Sequence, residues 1–258
     1  MRRLPRQDSW LTEDPTEGTV PGTASGATNP FPIDITFDAG NLLPGLRQGQ
    51  LAIKTDTPYQ LPNVPVDFTI RFLDVPDGSF AENFIYGAAG AGIMFGGPPP
   101  CPNGINFFCP NGVVTRADMA GYIFRAVHGA NTAPPVYQNI FGDVHFNDYN
   151  SFYIQGIFDD GITAGCGDGN YCPNDPNTRA QMSVFIWKGE HGEAAPPACV
   201  GVFADVPCPG GFAVDYIEGL FNEGVTAGCG GGNFCPDANI TNAQMAVFLV
   251  KAFDIPHL

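Results

Sequence analysis

Positive charge is what this sequence has least of: 11 Lys and Arg stand against 26 Asp and Glu, for a formal net charge of −15. Six of the basic residues fall before residue 72, so the remainder of the chain is more acidic still. A field of that sign repels polyanions, which excludes nucleic acid as a partner and disfavours adsorption to anionic membranes. Long apolar runs are missing too. None approaches the roughly 18 residues that a spanning helix needs, so no transmembrane segment is expected. Catalytic signatures are equally absent: there is no G-x-S-x-G, no H-E-x-x-H and no phosphate loop, and no nucleophile stands with a base and an orienting group. Asp159 and Asp160 are adjacent carboxylates, but they precede a glycine at the end of a helical stripe, where a solvated terminus is a better reading than glycosidase chemistry. The chain is therefore expected to be non-catalytic and to need no cofactor.

What the chain has in quantity is glycine and proline, 33 and 25 residues, with 44% hydrophobic content and only 14% charged. That composition describes folded cores built from short elements and many turns, and the length allows two compact units. The eight cysteines fall into four close pairs: Cys101 with Cys109, Cys166 with Cys172, Cys199 with Cys208, and Cys229 with Cys235. An even count in local pairs points to disulfides formed in an oxidising compartment. Zinc is the rival, but no C-x-x-C occurs, and His128, His145, His191 and His257 stand in no ligand spacing with the cysteines. Closing such short loops is worth about 2 kcal/mol each, enough to pin a loop but not to hold a domain. Export needs a signal, whereas the start, MRRLPRQDSW, has arginines and no apolar stretch after them. The signal is expected upstream, in a longer polypeptide.

The most informative feature is internal repetition. The stretch from Phe141 to Lys188 and that from Phe203 to Lys251 are two copies of one unit, and a more worn copy runs from Phe72 to Val127. Thr115, Thr178 and Thr241 are spaced 63 and 63 residues apart. In the second copy Tyr153, Ile154, Ile157 and Phe158 make a helical apolar stripe closed by Gly161, and Tyr216, Ile217, Leu220, Phe221 and Gly224 repeat it. The first copy keeps Phe84, Ile85 and Gly92 but has Ala88 and Ala89 at bulky positions, so a thinner core contact is expected there. A glycine-rich loop closed by cysteines follows, and then a second helix. Thr115 with Asp118, Thr178 with Gln181, and Thr241 with Gln244 have the form of capping boxes. Met182, Phe185 and Ile186, like Met245, Phe248 and Leu249, supply its buried face. A unit this small cannot bury its apolar face alone, so the copies are expected to pack on one another.

The order F-x-D-V, Y-I-x-x-L, G-[IV]-T-x-G and T-R-A-[DEQ]-M resembles the S-layer homology (SLH) family, in a cysteine-containing variety with G-C-G-x-G-x-Y-C-P. The resemblance implies a mainly α, pseudo-threefold bundle of three repeats, at 72–129, 141–192 and 203–254. It implies a monomeric module that holds an exported protein on the bacterial surface by binding an acidic envelope or secondary cell-wall polysaccharide. The family's arginine contact maps to Arg116 and Arg179. A cation in the first helical turn is unfavourably placed for the helix dipole unless an anion offsets it, and a guanidinium fork suits a carboxylate such as a pyruvate ketal. The alternative is an internal pair with an aspartate of a neighbouring repeat. Asn242 replaces the arginine in the third copy, whose pocket is expected to bind weakly or not at all. Asp74, Asp143 and Asp205 in the F-x-D-V turns are candidates to line the grooves, with turn or helix capping as the alternative. Asp168, Asp175 and Asp237 lie in glycine-rich loops but match no EF-hand, so no metal site is assigned. Tyr171, Phe234 and Phe108 share one loop position and read as packing residues rather than sugar platforms.

Before the repeats, Ile33, Ile35 and Phe37 alternate, as do Val64, Val66, Phe68, Ile70 and Phe72, with Leu51 and Ile53 between; period-two runs indicate half-buried strands. The string WLTEDPTEGTVPG, followed by ITFDAGNLLPGLRQGQLAIKTDT and VPVDFTI, is similar to an immunoglobulin-like module of secreted subtilisin-family peptidases. The likeness spans residues 8–71 and implies a partial β-sandwich with an open edge. The fold class expected is thus multidomain, with β structure first and helices after. Besides surface anchoring, two other functions are carried: an accessory tail of a secreted peptidase, and a structural bundle without a ligand.

Overall fold

The computed structural model describes residues 11–14, 34–37, 44–51, 64–95 and 106–257. Trp10, Ile33, Ile53 and Cys101 lie outside them. The chain divides into two compact units, one of residues 1–42 and 48–70, the other of residues 43–47 and 71–258.

The strands lie in two separate two-stranded sheets. Strands β1 (Leu11–Asp14) and β2 (Asp34–Phe37) pair antiparallel with Leu11 opposite Phe37 and Asp14 opposite Asp34. Strand β3 (Gly45–Leu51) pairs with β4 (Val64–Ile70), which takes up most of the alternating run.

The second unit is helical. Helices α1 (Glu82–Gly90), α3 (Ser151–Asp159) and α5 (Val214–Asn222) are short, and each ends in the same way. In α3 the N–H of Gly161 donates to Phe158 O and that of Ile162 to Ile157 O, and Gly161 takes a φ of 73°. This is a Schellman closure, and glycine there avoids the Cβ clash of the left-handed region. Gly92 and Gly224 close α1 and α5 with φ of 72° and 75°. Helices α2 (Arg116–His128), α4 (Arg179–His191) and α6 (Asn242–Ala252) follow the loops. Among the described residues, none of these helices is long and apolar enough to cross a membrane.

The main helix contacts run between pairs: α1 meets α6, α3 meets α2, and α5 meets α4, while α2 and α6 both touch α4. Glycine makes the first three contacts close. A Cβ on Gly156 of α3 would lie 2.5 Å from Phe124 of α2, and one on Gly219 of α5 would lie 2.5 Å from Trp187 of α4. In α1 a Cβ on Gly87 would stand 2.8 Å from Pro256 O. The small residues at the end of α1 have a related cause. The chain at Leu46 passes so near that a Cβ on Gly90 would meet Leu46 O at 2.3 Å, and the buried Leu46 side chain joins the core alongside Ala88 and Ala89. Backbone at Gly45 and Leu46 thus packs directly against the end of α1, where the sequence has small residues.

Three loop strands lock the pairs together. Val114 N–H donates to Ile240 O, Ile240 N–H to Asn177 O, and Asn177 N–H back to Val114 O, a closed cycle of hydrogen bonds. Met119, Met182 and Met245, one from each second helix, are completely buried, as are Ile123, Ile186 and Leu249 one turn on. Burying side chains of this size contributes about 1.5–3 kcal/mol apiece, which is where most of the helices' stability lies.

Candidate functional site

Each second helix starts at a threonine because its side chain accepts the N–H of the third helical residue, while that residue's side chain accepts the threonine N–H. Thr115 and Asp118, Thr178 and Gln181, and Thr241 and Gln244 all form this reciprocal cap. The next two donors of each helix are also occupied. Arg116 N and Ala117 N donate to Asp175 O and Pro173 O, Arg179 N and Ala180 N to Ala238 O and Pro236 O, and Asn242 N and Ala243 N to Gly112 O and Pro110 O. Each of these three helix starts is therefore plugged into the loop of another helix pair. The N–H groups beside the arginines are therefore not free to take a ligand, since loop carbonyls from a segment distant in sequence reach them first.

The arginines themselves are buried, each only 5% exposed. Arg116 donates from Nε to Tyr171 O at 2.7 Å, and Arg179 from Nε to Phe234 O at 2.8 Å. Their guanidinium carbons lie 4.7 Å and 4.6 Å from the centroids of the Tyr171 and Phe234 rings, with Phe185 and Phe248 on a second side. Stacking of this kind is worth more in a desolvated site than on the surface. Among the described residues no carboxylate stands within salt-bridge distance of either, and Nη2 of each finds no hydrogen-bond partner. Burial draws the Arg179 pKa down from its ordinary value, with the Asp205 charge opposing. Asn242 occupies the same place in the third pair, where its Nδ2 donates to Cys109 O at 3.0 Å.

Asp74, Asp143 and Asp205 hold the loops that face these side chains. Each carboxylate accepts two consecutive backbone N–H groups: Phe108 and Cys109 on Asp74, Tyr171 and Cys172 on Asp143, Phe234 and Cys235 on Asp205, all at 2.7 or 2.8 Å. The struts Asp143–Tyr171–Arg116 and Asp205–Phe234–Arg179 thus run from one helix pair into the preceding one. The loops are tightened by the disulfides Cys166–Cys172 and Cys229–Cys235, while Cys199–Cys208 ties the segment before α5 to its turn. Cys109 is disulfide-bonded as well. Tyr171, Phe234 and Phe108 are buried packing residues.

Beside Arg116 opens a cleft of about 420 Å³. It is lined by the loop at Thr163 and Gly165, by Gln181 and Lys188 of α4, and by Asp175 and Phe212. Two cations, an amide, a hydroxyl, a carboxylate and an exposed aromatic ring make a surface suited to a polar, anionic ligand with apolar faces. Of the residues singled out in sequence, Arg116, Gln181, Asp175 and Cys166 line this cleft, whereas Asp143 supports the loop from behind. Lys188 and Phe212 were not anticipated. A signal for Phe212 existed: Tyr149 lies 63 residues earlier, Phe80 stands in the equivalent place before α1, and all three are exposed.

Comparison with known proteins bears on the same tract. The family model described as S-layer homology domain matches residues 205–246, the stretch from the Asp205 turn through α5 and the disulfide loop into α6. The endoglucanase of Bacillus sp. (strain KSM-635) is 28% identical over 116 residues, which are 44% of this chain. The chain spans 12% of that relative's length. Residues 205–246 thus match the S-layer homology domain, a family of anchoring modules, and the match points to a protein of the cell surface or the extracellular space.

Proposed function

We propose that this chain is the surface-anchoring part of an exported bacterial protein, with the three helix pairs acting as three SLH repeats about a pseudo-threefold axis. The cleft beside Arg116, and by the repetition of the helix pairs the equivalent place beside Arg179, binds an acidic envelope or secondary cell-wall polysaccharide. The carrying observation is a buried guanidinium with an unpartnered Nη2, no carboxylate in salt-bridge range, and an open cleft alongside it. A buried cation left without a counter-charge is costly, and a ligand carboxylate arriving there would offset that cost with a charge-assisted hydrogen bond. Lys188 adds a second positive charge and Phe212 an apolar face for a sugar ring. The place occupied by Asn242 has no such cation and is expected to bind weakly or not at all, giving two working clefts rather than three.

The same reading treats the N-terminal strands as a partial immunoglobulin-like β-sandwich, on the strength of their sequence likeness. The matched relative is an endoglucanase, and an enzyme joined to such a tract would be retained at the envelope close to its substrate. The test is a pull-down on purified host cell-wall polysaccharide, comparing wild type with R116A/R179A and with K188A/F212A, each checked for an intact thermal transition. Retention should fall sharply in both variants. Equal retention of a folded double-arginine variant would remove the ligand assignment and leave a structural bundle.

A further inference from the structure

Three groups of metal-ligating side chains come together among the described residues. Two of them include cysteine sulfurs already joined as Cys199–Cys208 and Cys229–Cys235. Their carboxylates are also engaged, Glu218 by the N–H groups of Val200, Gly201 and Val202 and Asp205 by those of Phe234 and Cys235. Neither can offer a ligand set.

The third group differs. His191 ends α4, Glu190 precedes it, and Glu223 is the C-cap of α5. The three side chains meet where the two helices pack. Nε2 of His191 lies 3.0 Å from Glu223 Oε1 and 3.6 Å from Glu190 Oε2, and the three donor atoms lie within 4.8 Å of one another. A tetrahedral ion with bonds of about 2.0–2.1 Å sets its ligand atoms about 3.3 Å apart, a value the two measured separations bracket. Nε2 is buried and makes no hydrogen bond among the described residues, although a carboxylate oxygen is close to it. The imidazole is held by the Trp187 ring, with centroids 4.1 Å apart.

The chain contains its own comparison, 63 residues earlier. His128 ends α2, contacts Asp160 at 2.8 Å, and stacks on Phe124 at 4.4 Å. At the position of Glu190, however, stands Val127. That pair makes a complete hydrogen bond and has no third ligand.

We propose that Glu190, His191 and Glu223 form a binding site for a divalent transition-metal ion, zinc being the best match to one imidazole and two carboxylates, with water completing the coordination. Because the ligands come from both helices, the ion staples α4 to α5. The test uses untagged, disulfide-intact protein freed of metal by a chelator and titrated with zinc under calorimetry and thermal unfolding. Wild type should bind one ion saturably, and its Tm should rise by about 5–10 °C at zinc a hundredfold above Kd. E190Q, a conservative change at a partly exposed side chain, and H191Q should lose both effects, whereas H128Q should keep them. Absence of saturable binding to wild type, or a zinc-dependent rise in Tm that persists in E190Q and H191Q, would overturn the proposal.

Discussion

Arg116 and Tyr171, 55 residues apart, hold each other by reciprocal hydrogen bonds: the arginine Nε donates to the tyrosine carbonyl at 2.7 Å, and the tyrosine hydroxyl donates to the arginine carbonyl at 2.7 Å. Burial pushes the Tyr171 hydroxyl pKa up, Arg116 pulling it down and Asp118 adding to the rise, so the group stays a donor. The pair joins a loop of one helix pair to the helix start of the one before it.

Removing only the returning bond measures its worth. Y171F should lower stability by about 0.5–1.5 kcal/mol, seen as a lower urea midpoint at unchanged slope. The loss should be tolerated, because Phe234 fills the equivalent place beside Arg179. R116K keeps the charge but forfeits the planar stack and the Nε donor, and should cost more, about 1–3 kcal/mol. Equal midpoints for wild type and R116K would show that the strut contributes nothing.

Close helix packing gives a second prediction. In G219A the new methyl would be driven into the Trp187 ring, and overpacking of this kind costs about 1–3 kcal/mol. A Tm lower by several degrees is expected by calorimetry, with a parallel loss for G156A against Phe124. Unchanged Tm values would mean that α3 and α5 shift outward without penalty.

The helix caps, the glycine closures and the methionine stripe were legible because each is local: Thr178, Gln181 and Met182 announce a helix start within five residues. Residues that act across helix pairs were not. Arg116 could be singled out for its unfavourable place in the helix dipole, but nothing near it in sequence tells that Tyr171 supplies the ring beneath it, or that Asp175 and Pro173 take the neighbouring N–H groups. Asp143 was weighed as a groove residue or a turn cap; its carboxylate binds backbone 28 residues on, a partner that no local pattern identifies. Gly156 and Gly219 read as ordinary helix glycines until Phe124 and Trp187 are placed against them.

Asp205 makes the third prediction, one of pH dependence. Burial opposes its ionisation, but the N–H groups of Phe234 and Cys235, with help from Arg179, outweigh that and hold its pKa below the ordinary 3.8. A carboxyl with a lowered folded-state pKa adds stability above its unfolded value and loses it as the pH falls through the folded value. D205N should therefore be less stable than wild type at neutral pH, with the difference shrinking in acid. A constant difference across the titration would mean that the charge at Asp205 does not matter.

The most direct test of the anchoring account is calorimetric titration of the folded chain with a pyruvylated fragment of cell-wall polysaccharide. The account predicts two equivalents bound by wild type, one each by R116A and R179A, and none by the double variant, with all four proteins showing cooperative unfolding. Binding that keeps its stoichiometry after both arginines are removed, or a wild type that binds none, would contradict it.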